Sequence, residues 1–267
     1  MIAPAPAKIN LALVVGPRRE DGKHELATVY QRVDLGDRIS IEPADETIVE
    51  GFPADTIVRT ALESLDAPHG WRVQIQKRTP VAAGLGGGSS DAATALRLAN
   101  EQLASPKSAE ELHRLAARAG ADVPFFLRDG PQLGTGDGTR LEPLDLPQDF
   151  VVLLLLPRDA SKHSTAQVYA GFDERGGEEG YDERVTKLRT ALAAVRRPRD
   201  LAALPSNDLA SSPLGAELLA RGAFRADVSG AGPIVYGLFL RTSDAQRAAR
   251  ALGRLGRTWV TVPAWYG

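Results

Sequence analysis

The chain has 267 residues, 43% of them hydrophobic and 25% charged, with a net charge of −2 and a pI near 6.1. That length suits two halves sharing a cleft, and the balance of charge argues against a nucleic-acid or membrane-surface binder, which carries a basic excess. No cysteine is present, which excludes disulfides, a thiolate nucleophile and cysteine-ligated zinc.

The opening MIAPAPAKINLALVV has no basic segment ahead of its apolar run. It reads as a strand over 8–15 rather than a secretory leader, so a cytoplasmic protein is expected. Residues 18–24 form a polar loop turning at Asp21-Gly22. Strands are predicted over 29–33 and 38–42, joined by 34–37, and a helix over 55–65. The alternation of WRVQIQ predicts a strand at 71–76. A helix runs on from Ser90. A second covers 108–118, where Ser108 and Glu111 make a capping box and Gly120 stops it. A glycine-rich hairpin follows at 133–144. The run 150–156 is far short of the ~20 residues of a membrane span and reads as a buried strand opening a second half. Residues 171–183 (GFDERGGEEGYDE) are charged and glycine-rich, the composition of a mobile segment or insertion. A helix at 184–195, loops at 206–209 and 229–233, a strand at 235–240, a helix at 244–255 and a strand at 258–262 complete the chain. Without a regular βαβ period this is an α+β chain in two parts, 1–148 and 149–267.

The chemical signal is PVAAGLGGGSS at 80–90, set between a strand and a helix. Four glycines let the backbone curl around a ligand. The first turn of the following helix offers unpaired N–H groups and the positive end of the helix dipole, which is an anion site. The segment is not a Walker A loop, because no lysine follows the last glycine. Ser89 and Ser90 are candidates for phosphate or Mg²⁺ contact.

This loop resembles the phosphate loop of the GHMP kinases, and PAKINL (6–11) and SGAGP (229–233) resemble the family's other two motifs. The segments DGKHEL (21–26), QRVDLGD (31–37), GADVPFFL (120–127) and SNDL (206–209) narrow the likeness. They point to the branch that phosphorylates the C2 hydroxyl of a cytidine-diphosphate-linked methylerythritol in non-mevalonate isoprenoid synthesis. Another GHMP-type kinase, such as one acting on homoserine, is the alternative; a non-enzymatic nucleotide binder is a third reading.

The resemblance implies a ribosomal-S5-like N-terminal half and a ferredoxin-like C-terminal half with the active site between them. It implies ATP and Mg²⁺ as cofactors, with no dedicated protein metal site, and a small-molecule partner rather than nucleic acid or membrane. Pro80, Val81, Ala82, Ala83, Gly84, Leu85, Gly86, Gly87, Gly88, Ser89 and Ser90 would bind ATP. Asp122 would take the hydroxyl proton or hold the hydroxyl in line. Lys8 would keep Asp122 ionised and stabilise charge on the acceptor oxygen. Asn10, on the same strand face as Lys8, His24 and Tyr169 would bind the substrate, the last two at its cytosine. Lys23 stands where the family often has an aromatic residue, and Asp55 where it commonly has Asn. Lys77 could reach adenine or phosphate. Asn207 and Asp208 would lend support, as a helix cap for example, and Gly230 and Gly232 would let backbone approach the substrate phosphates.

Overall fold

The computed structural model describes residues 1–52, 57–160 and 164–264. Its first half is a six-stranded sheet built on two long strands, β1 (Ile2–Arg18) and β2 (His24–Ala44), paired antiparallel from Ile2↔Ser40 to Arg18↔His24. β2 continues across 34–37, where a break between two strands was expected. The register slips there, with Pro6 opposite Gly36 but Ala7 opposite Val33, so Asp34 and Leu35 bulge out of an unbroken strand. The far side of β2 pairs at one end with β4 (Gly70–Gln76) and at the other with β5 (Gln132–Gly136). β3 (Ile48–Glu50) and β6 (Arg140–Pro143) are the edges.

Helices α1 (Ile57–Glu63), α2 (Gly87–Asn100) and α3 (Ala109–Ala119) belong to this half. Residues 53–56, including Asp55, lie outside the described residues. Alanines at 92, 93, 95 and 99 are buried with Leu96 in one cluster with Ile39, Ile41, Trp71 and Val73. These small side chains let α2 lie close to its neighbours. The Ser108 box caps α3 as its sequence predicts, with Glu111 N–H donating to Ser108 Oγ and Ser108 N–H to the Glu111 carboxylate.

The second half is a four-stranded antiparallel sheet in the order β10 (Gly256–Thr261), β7 (Val151–Pro157), β9 (Val235–Phe239), β8 (Arg225–Val228). β7 explains its own unbroken apolar run. Val152 and Leu154 join a core with Ile9, Leu11 and Val14 of β1, while Val151, Leu153 and Leu155 pack with residues of α6 (Leu214–Leu219) and α7 (Thr242–Leu252). A strand covered on both faces has no polar side to show. Each such leucine contributes roughly 1.5–3 kcal/mol.

Residues 171–183 are not an unstructured insertion. They span the end of α4 (Thr165–Glu174), a turn, and the start of α5 (Tyr181–Ala194). Phe172 is buried with Leu13 and Val15 of β1, and Arg184 ties the turn down by donating to the carbonyls of Gly177 and Val15. Among the described residues no helix is long and apolar enough to cross a membrane.

Candidate active site

The phosphate loop joins β4 to α2 and is pinned from both halves. Gly84 (φ +79°) lies so close to Ser229 that a Cβ there would sit 2.0 Å from the Ser229 carbonyl oxygen. Ser229 Oγ donates to Gly84 O at 2.8 Å, and Lys8 N–H donates to Leu85 O at 2.9 Å. Gly86 (φ +65°) is the N-cap of α2 and offers no side chain to its first turn, leaving that end open to an anion. Gly230 and Gly232 face the loop from the C-terminal half.

A cleft of about 840 Å³ runs along this junction. It is lined by Lys8, Asn10, His24, Asp122, Tyr169 and every residue from Pro80 to Ser89. Sequence positions from 8 to 169 thus meet in one place. Ser90 does not line it: the side chain is wholly buried and Oγ finds no partner among the described residues.

Lys8 points inward from β1, its side chain 4% exposed, with Nζ 3.3 Å from Asp122 Oδ2; Asp122 is 31% exposed and faces the cleft. Lys8 Nζ also donates to Asn10 Oδ1 at 2.6 Å, Asn10 Nδ2 to Thr28 Oγ1 at 2.7 Å, and Thr28 to the Ala12 carbonyl. Tyr30 donates its hydroxyl to Asp122 Oδ1 at 2.9 Å. Burial and the Asp122 charge push the Tyr30 hydroxyl well above its ordinary range, so it stays a neutral donor. Asp122 is therefore held by a proton donor on one oxygen and a cation on the other. Sequence reading missed Tyr30 and Thr28: both sit on β2 opposite the lysine strand and carry no motif of their own.

It also missed the cluster beneath the loop. Lys77 Nζ lies 2.7 Å from Asp37 and 2.6 Å from Asp91, both wholly buried, so the lysine's partners are carboxylates. Asp37 accepts as well from the backbone of Arg78 and Thr79. Asp91 has Oδ1 buried without a partner. Burial raises its carboxyl to about 7, against the pull of Lys77 and with the help of Asp37.

At the loop between β1 and β2, the His24 ring stacks on Tyr169 (4.8 Å between centroids, 27°) and meets Phe172 edge-on. Its Nε2 is 2.7 Å from Asp173 Oδ1. One face of Tyr169 is thus covered by His24. Burial, then the charge of Asp122, raises the Tyr169 hydroxyl. Lys23, in place of an aromatic wall, pairs with Asp137 at 2.6 Å. Burial pushes the Asp137 carboxyl up, but bonds from Lys23 and Thr139 outweigh it and hold it at about 2.

Asn207 and Asp208 cap no helix. Asn207 Nδ2 donates to the carbonyls of Val228 and Gly230, fixing the second glycine loop, and Asp208 accepts from Val15 N–H and Arg184. Among the described residues no group of three or more His, Cys, Asp or Glu is placed to hold a metal ion.

Residues 54–130 match the family "GHMP kinases N terminal domain" and residues 214–258 match "GHMP kinases C terminal". The chain is 36% identical over 264 residues to a 4-diphosphocytidyl-2-C-methyl-D-erythritol kinase of Anaeromyxobacter sp. (strain Fw109-5), covering 93% of this chain and 85% of that relative. It is 37% identical over 283 residues to the protein of that name from Pelobacter propionicus, with 97% and 96% covered. A crystal structure of a 4-(cytidine 5'-diphospho)-2C-methyl-D-erythritol kinase superposes over the full length of both chains with a TM-score of 0.76 at 33% identity. The Methanococcus jannaschii mevalonate kinase shares the fold, with a TM-score of 0.73 at 14% identity over 99% and 98% of the two chains.

Proposed function

The chain belongs to the GHMP kinase family, and on that premise we propose that it transfers the γ-phosphate of ATP to the C2 hydroxyl of 4-diphosphocytidyl-2-C-methyl-D-erythritol, a step toward isoprenoid precursors. The observation that carries this is the Lys8–Asp122 pair, 3.3 Å apart in the cleft. Lys8 Cε would lie only 3.1 Å from a Cβ at Gly86, so the pair stands beside the phosphate loop.

In this reading residues 1–148 bind ATP and 149–267 complete the substrate side. The backbone N–H groups at the start of α2 bind nucleotide phosphate oxygens, helped by the helix dipole. Asp122 accepts the C2 hydroxyl proton as the oxygen attacks γ-phosphorus and the bond to the β-phosphate oxygen breaks, releasing ADP. Tyr30 and Lys8 fix the carboxylate's aim, and Lys8 adds positive charge beside the acceptor oxygen. His24 and Tyr169 take the cytosine, and Asn10 contacts the methylerythritol end. Mg²⁺, when bound with the nucleotide, would supply positive charge against the phosphates. With no cluster of three or more His, Cys, Asp or Glu among the described residues and Ser89 lining the cleft, the site suits a cation held mainly by phosphate and water. The reading places the chain in the cytoplasm, where ATP is available.

An ADP-release assay with Mg-ATP tests it. Turnover is expected with the cytidylyl substrate and not with homoserine or mevalonate. Turnover with homoserine alone would keep the kinase and overturn the acceptor.

A further inference from the structure

One face of α4 grips the His24 imidazole. Tyr169, Phe172 and Asp173 fall at i, i+3 and i+4 on that helix, so all three point the same way. Tyr169 covers the ring's face, Phe172 meets it edge-on, and Asp173 Oδ1 takes its Nε2 at 2.7 Å. The other Asp173 oxygen lies 3.4 Å from Arg18 Nε, and Arg18 is the backbone partner of His24 across the β1–β2 pair.

A carboxylate only accepts hydrogen bonds, so Nε2 must carry a proton and donate it. In a neutral imidazole the other nitrogen, Nδ1, is then an acceptor. His24 lines the cleft, and Asp173 thereby fixes what its ring can offer a ligand. Cytosine presents an amino donor at position 4, whereas uracil presents a carbonyl oxygen. An acceptor nitrogen pairs with the first and sets lone pair against lone pair with the second.

We infer that Asp173 is a positioning residue that holds His24 with Nδ1 as an acceptor and so makes the base subsite choose a 4-amino over a 4-oxo pyrimidine. The inference rests on the proposed placement of cytosine at His24. A site built around one hydrogen bond rejects the analogue that cannot make it far more strongly than an apolar pocket could. An amide at 173 would lift the constraint, because its oxygen accepts from Nε2–H while its N–H₂ donates to a bare Nε2.

Two measurements test this. The first compares kcat/KM for the cytidylyl substrate and its uridylyl analogue in the wild type and in Asp173→Asn. The preference for cytidine is expected to narrow at least tenfold in the variant with KM for ATP unchanged, an effect that general loosening of the fold would not confine to one substrate. An unchanged preference would overturn the role of Asp173. The second is ¹⁵N NMR of histidine-labelled wild-type protein at pH 8, where free imidazole is neutral. Only four histidines need resolving, and His24→Gln identifies the signal. An Nε2–H tautomer is expected, and an Nδ1–H tautomer would overturn the inference without any need for a folded Asp173 variant. If His24→Gln leaves KM for the cytidylyl substrate unchanged, the placement of cytosine at His24 fails, and the inference with it.

Discussion

Replacing Asp91 by Asn should abolish a loss of stability that the wild type suffers as pH rises. Asp91 and Asp37 share the single ammonium group of Lys77 beneath the phosphate loop, and both carboxylates are wholly buried. Asp37 has two backbone donors as well, while one oxygen of Asp91 has none. Burial accordingly raises the Asp91 carboxyl from 3.8 to about 7. A carboxyl whose folded value is raised binds more protons in the native state than in the unfolded state, so its contribution to stability falls as pH rises between the two values. A shift of this size corresponds to about 4 kcal/mol in all, of which about 2–3 kcal/mol falls between pH 5 and pH 8. Asparagine keeps the shape and an acceptor for Lys77 but cannot ionise. Urea unfolding at the two pH values reads the effect directly, because midpoints convert to free energies through a common slope. The wild type should lose stability from pH 5 to pH 8 relative to Asp91→Asn. If wild type and variant instead lose equal stability between pH 5 and pH 8, Asp91 is already ionised against Lys77 across that range, and the argument fails.

Gly84→Ala should separate the two glycine loops. Its φ of +79° costs an alanine about 1 kcal/mol, and its Cβ would sit 2.0 Å from the Ser229 carbonyl oxygen. KM for ATP should rise and the melting temperature fall; an unchanged KM would mean that the loops' contact does not shape the nucleotide site. Tyr169→Ala should raise KM for the cytidylyl substrate far more than KM for ATP, and equal effects on both would place Tyr169 outside the base subsite.

What the sequence made legible followed local rules. The capping box at Ser108 and Glu111 needs only four residues to recognise, and the apolar run at 150–156 announced a buried strand. The phosphate loop combined glycines, hydroxyls and a helix start within eleven positions. The reading failed where long-range pairing overrode local composition. Asp34, Gly36 and Asp37 look like a turn, yet β1 pairs across them and absorbs two of the intervening residues as a bulge. The glycines and charges of 171–183 look like an exposed insertion, but burial of Phe172 and the bonds of Arg184 order it. Tyr30, Asp37 and Asp173 acquire their roles from partners 92, 40 and 149 residues away in the chain, and no spacing rule reaches so far.

The most direct test of the account is the Asp122→Ala variant, with turnover and ATP binding measured on the same preparation. Positioned proton transfer is worth about a hundredfold or more, so turnover of the cytidylyl substrate should fall at least that far while the Kd for ATP holds, because the phosphate loop is untouched. Turnover comparable to the wild type would remove Asp122 from the chemistry and contradict the reading of the Lys8–Asp122 pair as the catalytic centre.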